Sequence, residues 1–216
     1  MPGQITAIKK QEKRLRFNIF LDGKYSLSLA PDVLVQSGIV VGDSLDQKRV
    51  NNLKIDDAKF TLMQKALLFL GYRSRSKKEI TDRLNKALLK SDFSEEEKKG
   101  ITDYVQERLV QLGYVDDESF AQALVESGRR KLWGEYRIRQ ELKKKGIADS
   151  LIAAVLPHDS EEELLTAKKA AEKKALSYKG LDSWEQKQKL GAYLARRGYS
   201  WETIKGVIDE SLSNSR

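Results

Sequence analysis

Hydrophobic and polar positions change rhythm once along the chain. Over residues 4 to 29 they alternate, in Ile5 and Ala7, then Phe17, Ile19 and Leu21, with Asp22-Gly23 as a two-residue turn and Tyr25, Leu27 and Leu29 beyond it. Side chains of a strand point to opposite faces in turn, so the alternation predicts three short strands, two of them joined as a hairpin. A short helix is predicted after Pro31-Asp32 and a loop around Gly38 to Gly42, which makes 1–55 a small β-rich domain. From Asp56 onward the apolar residues recur at helical spacing, as in Leu62, Ala66, Leu67 and Leu70 or Ile101, Val105, Leu109 and Leu112. Four capping boxes, Ser76 with Glu79, Ser94 with Glu97, Ser160 with Glu163 and Ser183 with Gln186, are each expected to open a helix.

Sliding the helical part against itself brings out a repeat. Ile138, Leu142, Gly146, Ile147, Ile152 and Val155 are followed 52 positions later by Leu190, Leu194, Gly198, Tyr199, Ile204 and Val207. Each set reads as the apolar face of one helix, a glycine for a left-handed C-cap, a hydrophobic residue closing the cap, and the face of the next helix. Ile80 and Leu84 stand 58 positions before Ile138 and Leu142, and an insertion around Lys90-Ser91-Asp92-Phe93 then breaks the match. The predicted fold is therefore mainly α, with three tandem three-helix repeats at 56–115, 116–157 and 158–216 after the β-rich domain. Helices are expected at 57–70, 76–89 and 95–112, then 117–130, 135–145 and 149–156, then 161–177, 184–196 and 201–212. Units this small bury their apolar faces by stacking, so an elongated, curved array is expected.

Composition narrows the chemistry. Among 216 residues, 40 Lys and Arg face 32 Asp and Glu, a formal charge of +8 that suits a polyanionic partner. There is no cysteine, and His158 is the sole histidine, so thiolate catalysis, a His-paired nucleophile and a multi-histidine metal site cannot be built within the chain. His158 reads as an ordinary residue of the connection between repeats. No Gly-Lys-Ser/Thr order suggests a P-loop, so no nucleotide hydrolysis and no cofactor are expected. Neither a signal-type apolar run at the start nor a stretch of about 18 apolar residues occurs, which points to the cytoplasm and away from a membrane. The acidic runs Glu95-Glu96-Glu97, Asp116-Asp117-Glu118 and Glu161-Glu162-Glu163 fall at predicted helix starts, where they complement the helix dipole better than they suggest a two-metal nuclease.

The densest basic segment holds Arg129, Arg130, Lys131, Arg137, Arg139, Lys143, Lys144 and Lys145 against Glu135 and Glu141 alone. With Ile138 and Leu142 turned to a core, most of these cations should face solvent, where guanidinium and ammonium groups contact phosphates or carboxylates. Arg73, Arg75, Lys77 and Lys78 occupy the corresponding part of the first repeat, followed by Arg83 and Lys86, and Arg196 and Arg197 extend the character into the third. Trp133 and Tyr136 lie inside the basic segment, and packing is the favoured role for both.

Two stretches carry a family resemblance. Gly113-Tyr114-Val115-Asp116-Asp117-Glu118-Ser119-Phe120-Ala121 and Arg137-Ile138-Arg139-Gln140-Glu141-Leu142-Lys143-Lys144-Lys145-Gly146-Ile147, in that order, resemble the hallmark motifs of the RecX family. The Arg-Ser-Arg-Ser-Lys-Lys-Glu-Ile run at 73–80 is similar to the family's first-repeat segment, and the resemblance covers about 57–212. It implies a non-enzymatic modulator, a monomer that binds the RecA nucleoprotein filament together with single- and double-stranded DNA, independently of sequence. It further implies inhibition or tuning of strand exchange, ATP hydrolysis and co-protease activity in recombinational repair and the SOS response, with the protein lodged in the filament groove. The alternative is a DNA-binding regulator of helix-turn-helix type, which would concentrate its base contacts on one helix instead of spreading cations over two repeats.

Overall fold

The computed structural model describes residues 2–178 and 180–213, and positions 1, 179 and 214–216 of the expected units lie outside the described residues. The chain forms two compact units that divide between Val115 and Asp116.

In the first unit, strands β1 (Gly3–Lys10), β2 (Phe17–Leu21), β3 (Lys24–Leu29) and β4 (Ser44–Leu45) form one antiparallel sheet in the order β3-β2-β1-β4. The fourth strand adds to the three expected, because Ser44 and Leu45 pair with Gln4 and Gly3 just past the predicted loop. Asp22 and Gly23 turn the hairpin with φ of 47° and 78°, the left-handed pair that matches the twist of the flanking strands. The strict alternation expected beyond the turn fails at Tyr25. A register shift between Ile19 and Phe20 turns its ring outward against Phe20, at 6.2 Å between centroids, while Leu27 and Leu29 stay buried. Ile5, Ile19, Leu27 and Leu29 form a core with Val33 of α1 (Pro31–Ser37) and with Val50 and Leu53 of α2 (Gln47–Leu70).

Helix α2 corrects the sequence reading most. It starts at Gln47 instead of residue 57 and runs straight through the expected boundary after residue 55, capped by Asp46, whose carboxylate accepts the Arg49 N–H at 2.6 Å. Its two ends serve different cores: Val50 and Leu53 pack on the sheet, Leu62 and Ala66 on the helices that follow. Nine residues separate Leu53 from Leu62, about 180° around a helix of 3.6 residues per turn, so no single apolar stripe marks the whole element. Near the crossover the buried Asp57 accepts from the Arg16 guanidinium at 2.5 Å and from the Ala30 N–H at 2.7 Å, tying sheet to helix. Helices α3 (Lys77–Leu88) and α4 (Glu95–Gln111) open on Ser76 and Ser94, both with the full capping box expected. Glu97 also accepts from Asn51 of α2 at 2.5 Å, which holds its carboxyl below the usual range. Ile80, Leu84, Ile101, Val105 and Leu109 bury against Leu62 and Ala66, and Val115 closes this second core.

The second unit is helical: α5 (Asp117–Arg130), α6 (Glu135–Lys144), α7 (Asp149–Val155), α8 (Ser160–Ala175) with a 3-10 turn at Leu176–Tyr178, α9 (Ser183–Arg197) and α10 (Trp201–Ser213). Two capping residues differ from those expected. Asp159 and Asp182 cap α8 and α9, one residue before the predicted Ser160 and Ser183, because each offers a carboxylate one position earlier, Asp159 to the Glu161 and Glu162 N–H groups and Asp182 to that of Glu185. The repeat read from sequence is a repeat in space: Ile138, Leu142, Ile147 and Ile152 are buried in one core, Leu190, Leu194, Tyr199 and Ile204 in the next. Gly146 and Gly198 both take the left-handed conformation, φ 76° and 84°. No helix among the described residues is long and apolar enough to cross a membrane.

Candidate functional site

The basic segment of the second unit starts where α5 ends. Arg129 and Arg130 fill its last turn, where cations oppose the negative end of the helix dipole. The connection to α6 is a tight C-cap in which Trp133 N–H reaches the Gly128 carbonyl at 3.0 Å and Leu132 takes φ 56°, a left-handed position that glycine usually fills. A leucine is held there because its side chain packs into the core of α8, α9 and α10. Its carbonyl accepts the Tyr199 hydroxyl at 3.1 Å, and burial pushes the Tyr199 phenol up.

This turn forms one side of a joint with the end of α9. Gly134 N–H donates to the Arg197 carbonyl at 2.9 Å, and the Arg197 guanidinium donates to the Lys131 carbonyl. The backbones touch: a Cβ on Gly134 would stand 2.3 Å from the Gly198 carbonyl oxygen, and one on Gly198 would stand 2.5 Å from the Arg137 Cβ. Arg137 donates to the Arg196 carbonyl at 3.5 Å, while Arg129 pairs with Glu162 of α8 at 2.6 Å. Behind the joint, Glu135 accepts from the Asp159 N–H at 3.1 Å and contacts His158 Nδ1 at 2.9 Å, a bond that raises the pKa of His158. His158 is therefore a fastened part of the connection. Thr203 of α10 donates to the buried Glu163 of α8 at 2.7 Å.

Cations and aromatic rings interleave around this joint. The Trp133 ring, packed on the α5–α7 core, carries the Arg137 guanidinium at 4.3 Å and the Lys131 ammonium at 4.9 Å. Arg197 lies 5.0 Å from the Tyr193 ring, and Lys174 reaches both Tyr193, at 5.9 Å, and Tyr178, at 5.2 Å. Three of these pairs stand four residues apart on or beside a helix, Trp133 with Arg137, Lys174 with Tyr178 and Tyr193 with Arg197. That spacing was the available signal for Lys174, Tyr178 and Tyr193, which the sequence reading did not single out.

The remaining predicted residues divide. Exposed Arg130 has a weak contact to Glu126 at 3.5 Å, and Arg196 is exposed, its carbonyl alone meeting Arg137. Lys143 pairs with Asp149 at 2.8 Å, Lys144 with Glu141 at 2.9 Å, and Lys145 caps the other end of α6. Arg139 donates to the Leu156 carbonyl at 3.4 Å and so finishes α7. In the first unit Arg73 and Arg75 meet the same carboxylate, Glu79, at 2.8 and 3.8 Å, and Lys78 pairs with Asp82 at 2.9 Å beside Lys77. The Arg75 side chain is only 14% exposed and stacks on Phe69 at 3.9 Å, so it packs where solvent exposure was expected. Burial, with Arg73 alongside, lowers its pKa.

The acidic runs lie at the starts of α4, α5 and α8, at the positive end of each helix dipole as expected; Asp116 also caps α5, while the α8 cap, Asp159, stands just outside its run. Among the described residues no group of three or more His, Asp or Glu is arranged to hold a metal.

Three family models match this chain: the regulatory protein RecX N-terminal domain at residues 3–46, the RecX second three-helix domain at 116–156 and the RecX third three-helix domain at 161–208. The regulatory protein RecX of Bacillus licheniformis is 35% identical over 210 residues, 96% of this chain and 76% of that protein. That of Bacillus subtilis is 34% identical over 95% of this chain and 76% of its own length. A crystal structure of regulatory protein RecX superposes with a TM-score of 0.68 at 28% identity, covering 96% of this chain and 99% of that one. RecX from Lactobacillus salivarius gives 0.58 at 25% identity, over 72% of this chain and 97% of its own.

Proposed function

Because the chain belongs to the RecX family of regulatory proteins, we propose that it works by binding and not by catalysis, as a modulator of RecA. In this reading it grips the RecA–DNA filament and restrains strand exchange, ATP hydrolysis and co-protease activity, as a cytoplasmic monomer. In this reading the β-rich segment and the first three-helix unit act together as one body, and residues 116–157 and 158–216 act as two further three-helix units. The observation that carries it is the line of cations and aromatic rings around the joint of α5–α6 with α9, from Lys131 and Trp133 to Lys174 and Tyr178. Such interleaving suits a phosphate backbone with unpaired bases, because ammonium and guanidinium groups neutralise phosphates and any base can lie on a ring or guanidinium face.

The contacts at the joint support two kinds of role for its cations. Arg129, Arg137 and Arg197 direct donors into the protein and act chiefly by holding the surface in shape. Arg130, Lys131 and Arg196, which are exposed, make the filament contacts. Contact with DNA is sequence-independent, since phosphates and stacked bases carry no donor–acceptor code.

The test is RecA ATPase on single-stranded DNA with this protein titrated in, and the expected result is inhibition at stoichiometric ratios or below. Unchanged ATPase and filament length would end the reading. Reversing charge at Arg130, Lys131 and Arg196 together should weaken filament binding while leaving thermal unfolding as in the parent. Retained binding would move the contact elsewhere. In gel shifts, strong preference for one DNA site would replace this reading by a sequence-specific regulator.

A further inference from the structure

Helices α1, α2 and α4 of the first unit enclose a cleft of about 550 Å³ that the RecA reading does not use. Its floor is apolar: Val33 and Leu53 are buried, and Phe60 and Met63 are half-buried beside them. Leu112 and Tyr104 stand at the mouth, 49% and 50% exposed, large apolar groups left facing water.

The rim is cationic and poorly matched. The Arg49 guanidinium donates to the Ser37 carbonyl at 3.3 Å and that of Arg108 to Gln111 Oε1 at 3.4 Å, both long bonds to neutral acceptors. Lys59 lies 4.6 Å from the Tyr104 ring centroid and 3.9 Å from the Asp56 carboxylate, the one acidic side chain of the lining. Three cations thus surround an apolar slot with a single carboxylate among them.

We propose that this cleft is a docking site for an acidic segment of a protein partner, one that inserts a bulky apolar side chain between flanking carboxylates. Charge complementarity selects the acidic flanks: a carboxylate gives Arg49 and Arg108 the bidentate, charge-assisted partner that their neutral acceptors do not. The apolar floor selects the apolar anchor, with Met63 able to adapt to its shape. A nucleic acid fits less well. Base stacking needs an open ring face, whereas Phe60 is half-buried in the floor. The docking site stands apart from the RecA reading and holds whether or not that reading does.

The sequence supplies its own reporter, since the chain has 2 methionines, Met1 and Met63. The full chain labelled with carbon-13 at its methionine methyls is titrated with an acetylated, amidated hexapeptide, Asp-Glu-Leu-Phe-Glu-Asp, with the Lys-for-acid counterpart and with oligothymidylate. The Met63 methyl is expected to shift saturably with the acidic peptide while that of Met1 does not. Binding should weaken roughly tenfold in R49E/R108E, whose two positions are exposed and whose unfolding should match the parent. Leu112→Asp at the mouth should weaken it too. A Met63 methyl unmoved by the acidic peptide, moved equally by the basic one or moved by oligothymidylate instead overturns the proposal, as does unchanged affinity in R49E/R108E.

Discussion

The ends of α6 and α9 carry one device in two settings. Lys144-Lys145-Gly146-Ile147 and Arg196-Arg197-Gly198-Tyr199 both place two cations at the helix end, a left-handed glycine after them and a buried residue closing the cap. Yet Gly146 is exposed, whereas Gly198 is buried against the backbone of Gly134 and Arg137. The local motif stops a helix in both places. At α9 it has acquired a second duty, as the contact through which two repeats meet, and the cations next to it are drawn into the joint.

Three alanine substitutions break the comparison into parts. Gly198→Ala meets both a left-handed φ and the Arg137 backbone, and should cost about 3 kcal/mol or more in chemical denaturation. Gly134→Ala, at an ordinary φ of −72°, meets the clash alone and should cost about 2 kcal/mol. Gly146→Ala meets φ alone and should cost about 1 kcal/mol. Equal losses at 198 and 146 would mean that the joint adds nothing. Next in size, Tyr199→Phe removes the bond to the Leu132 carbonyl and should cost about 1 kcal/mol, a change that Ile147 of the other cap cannot mirror.

The smallest effect is a pH dependence behind the joint. The hydrogen bond and charge of Glu135, with Glu163 and Asp159 adding charge, raise His158 above its ordinary 6.5, so its protonated form is favoured by folding. That stabilisation is fully present below pH 6.5 and is lost as pH rises through the raised folded value. The midpoint advantage of the parent over His158→Gln should therefore shrink from acid to alkaline pH. A gap that widens with pH would contradict the Glu135 contact.

Much of the fold could be read from the chain because its signals are local. A serine three residues before a glutamate marks α3 and α4 whatever they pack on, and spacing with a terminal glycine marks α6 and α9. Ser160 and Ser183 misled by one position because Asp159 and Asp182 offer the same chemistry one residue earlier. The start of α2 was hidden for a different reason: its apolar face changes sides, so the first half shows no stripe continuous with the second. The site was less legible. Counting cations found the segment, but which ones turn inward depends on contacts across dozens of residues, such as Arg197 to Lys131 and Arg129 to Glu162. Arg75, stacked beneath exposed neighbours, has the same sequence signature as a solvent-facing cation.

The two-faced helix α2 also bears on how the chain can be divided. A truncation at residue 55, where the hydrophobic rhythm changes, would leave the sheet with the stub that carries Val50 and Leu53 and deprive it of Asp57, the anchor of Arg16 and Ala30. The remaining fragment would begin in mid-helix without the Asp46 cap. The β-rich segment is thus not a detachable module, and trimmed versions of this protein should begin before its first strand or after the whole first unit.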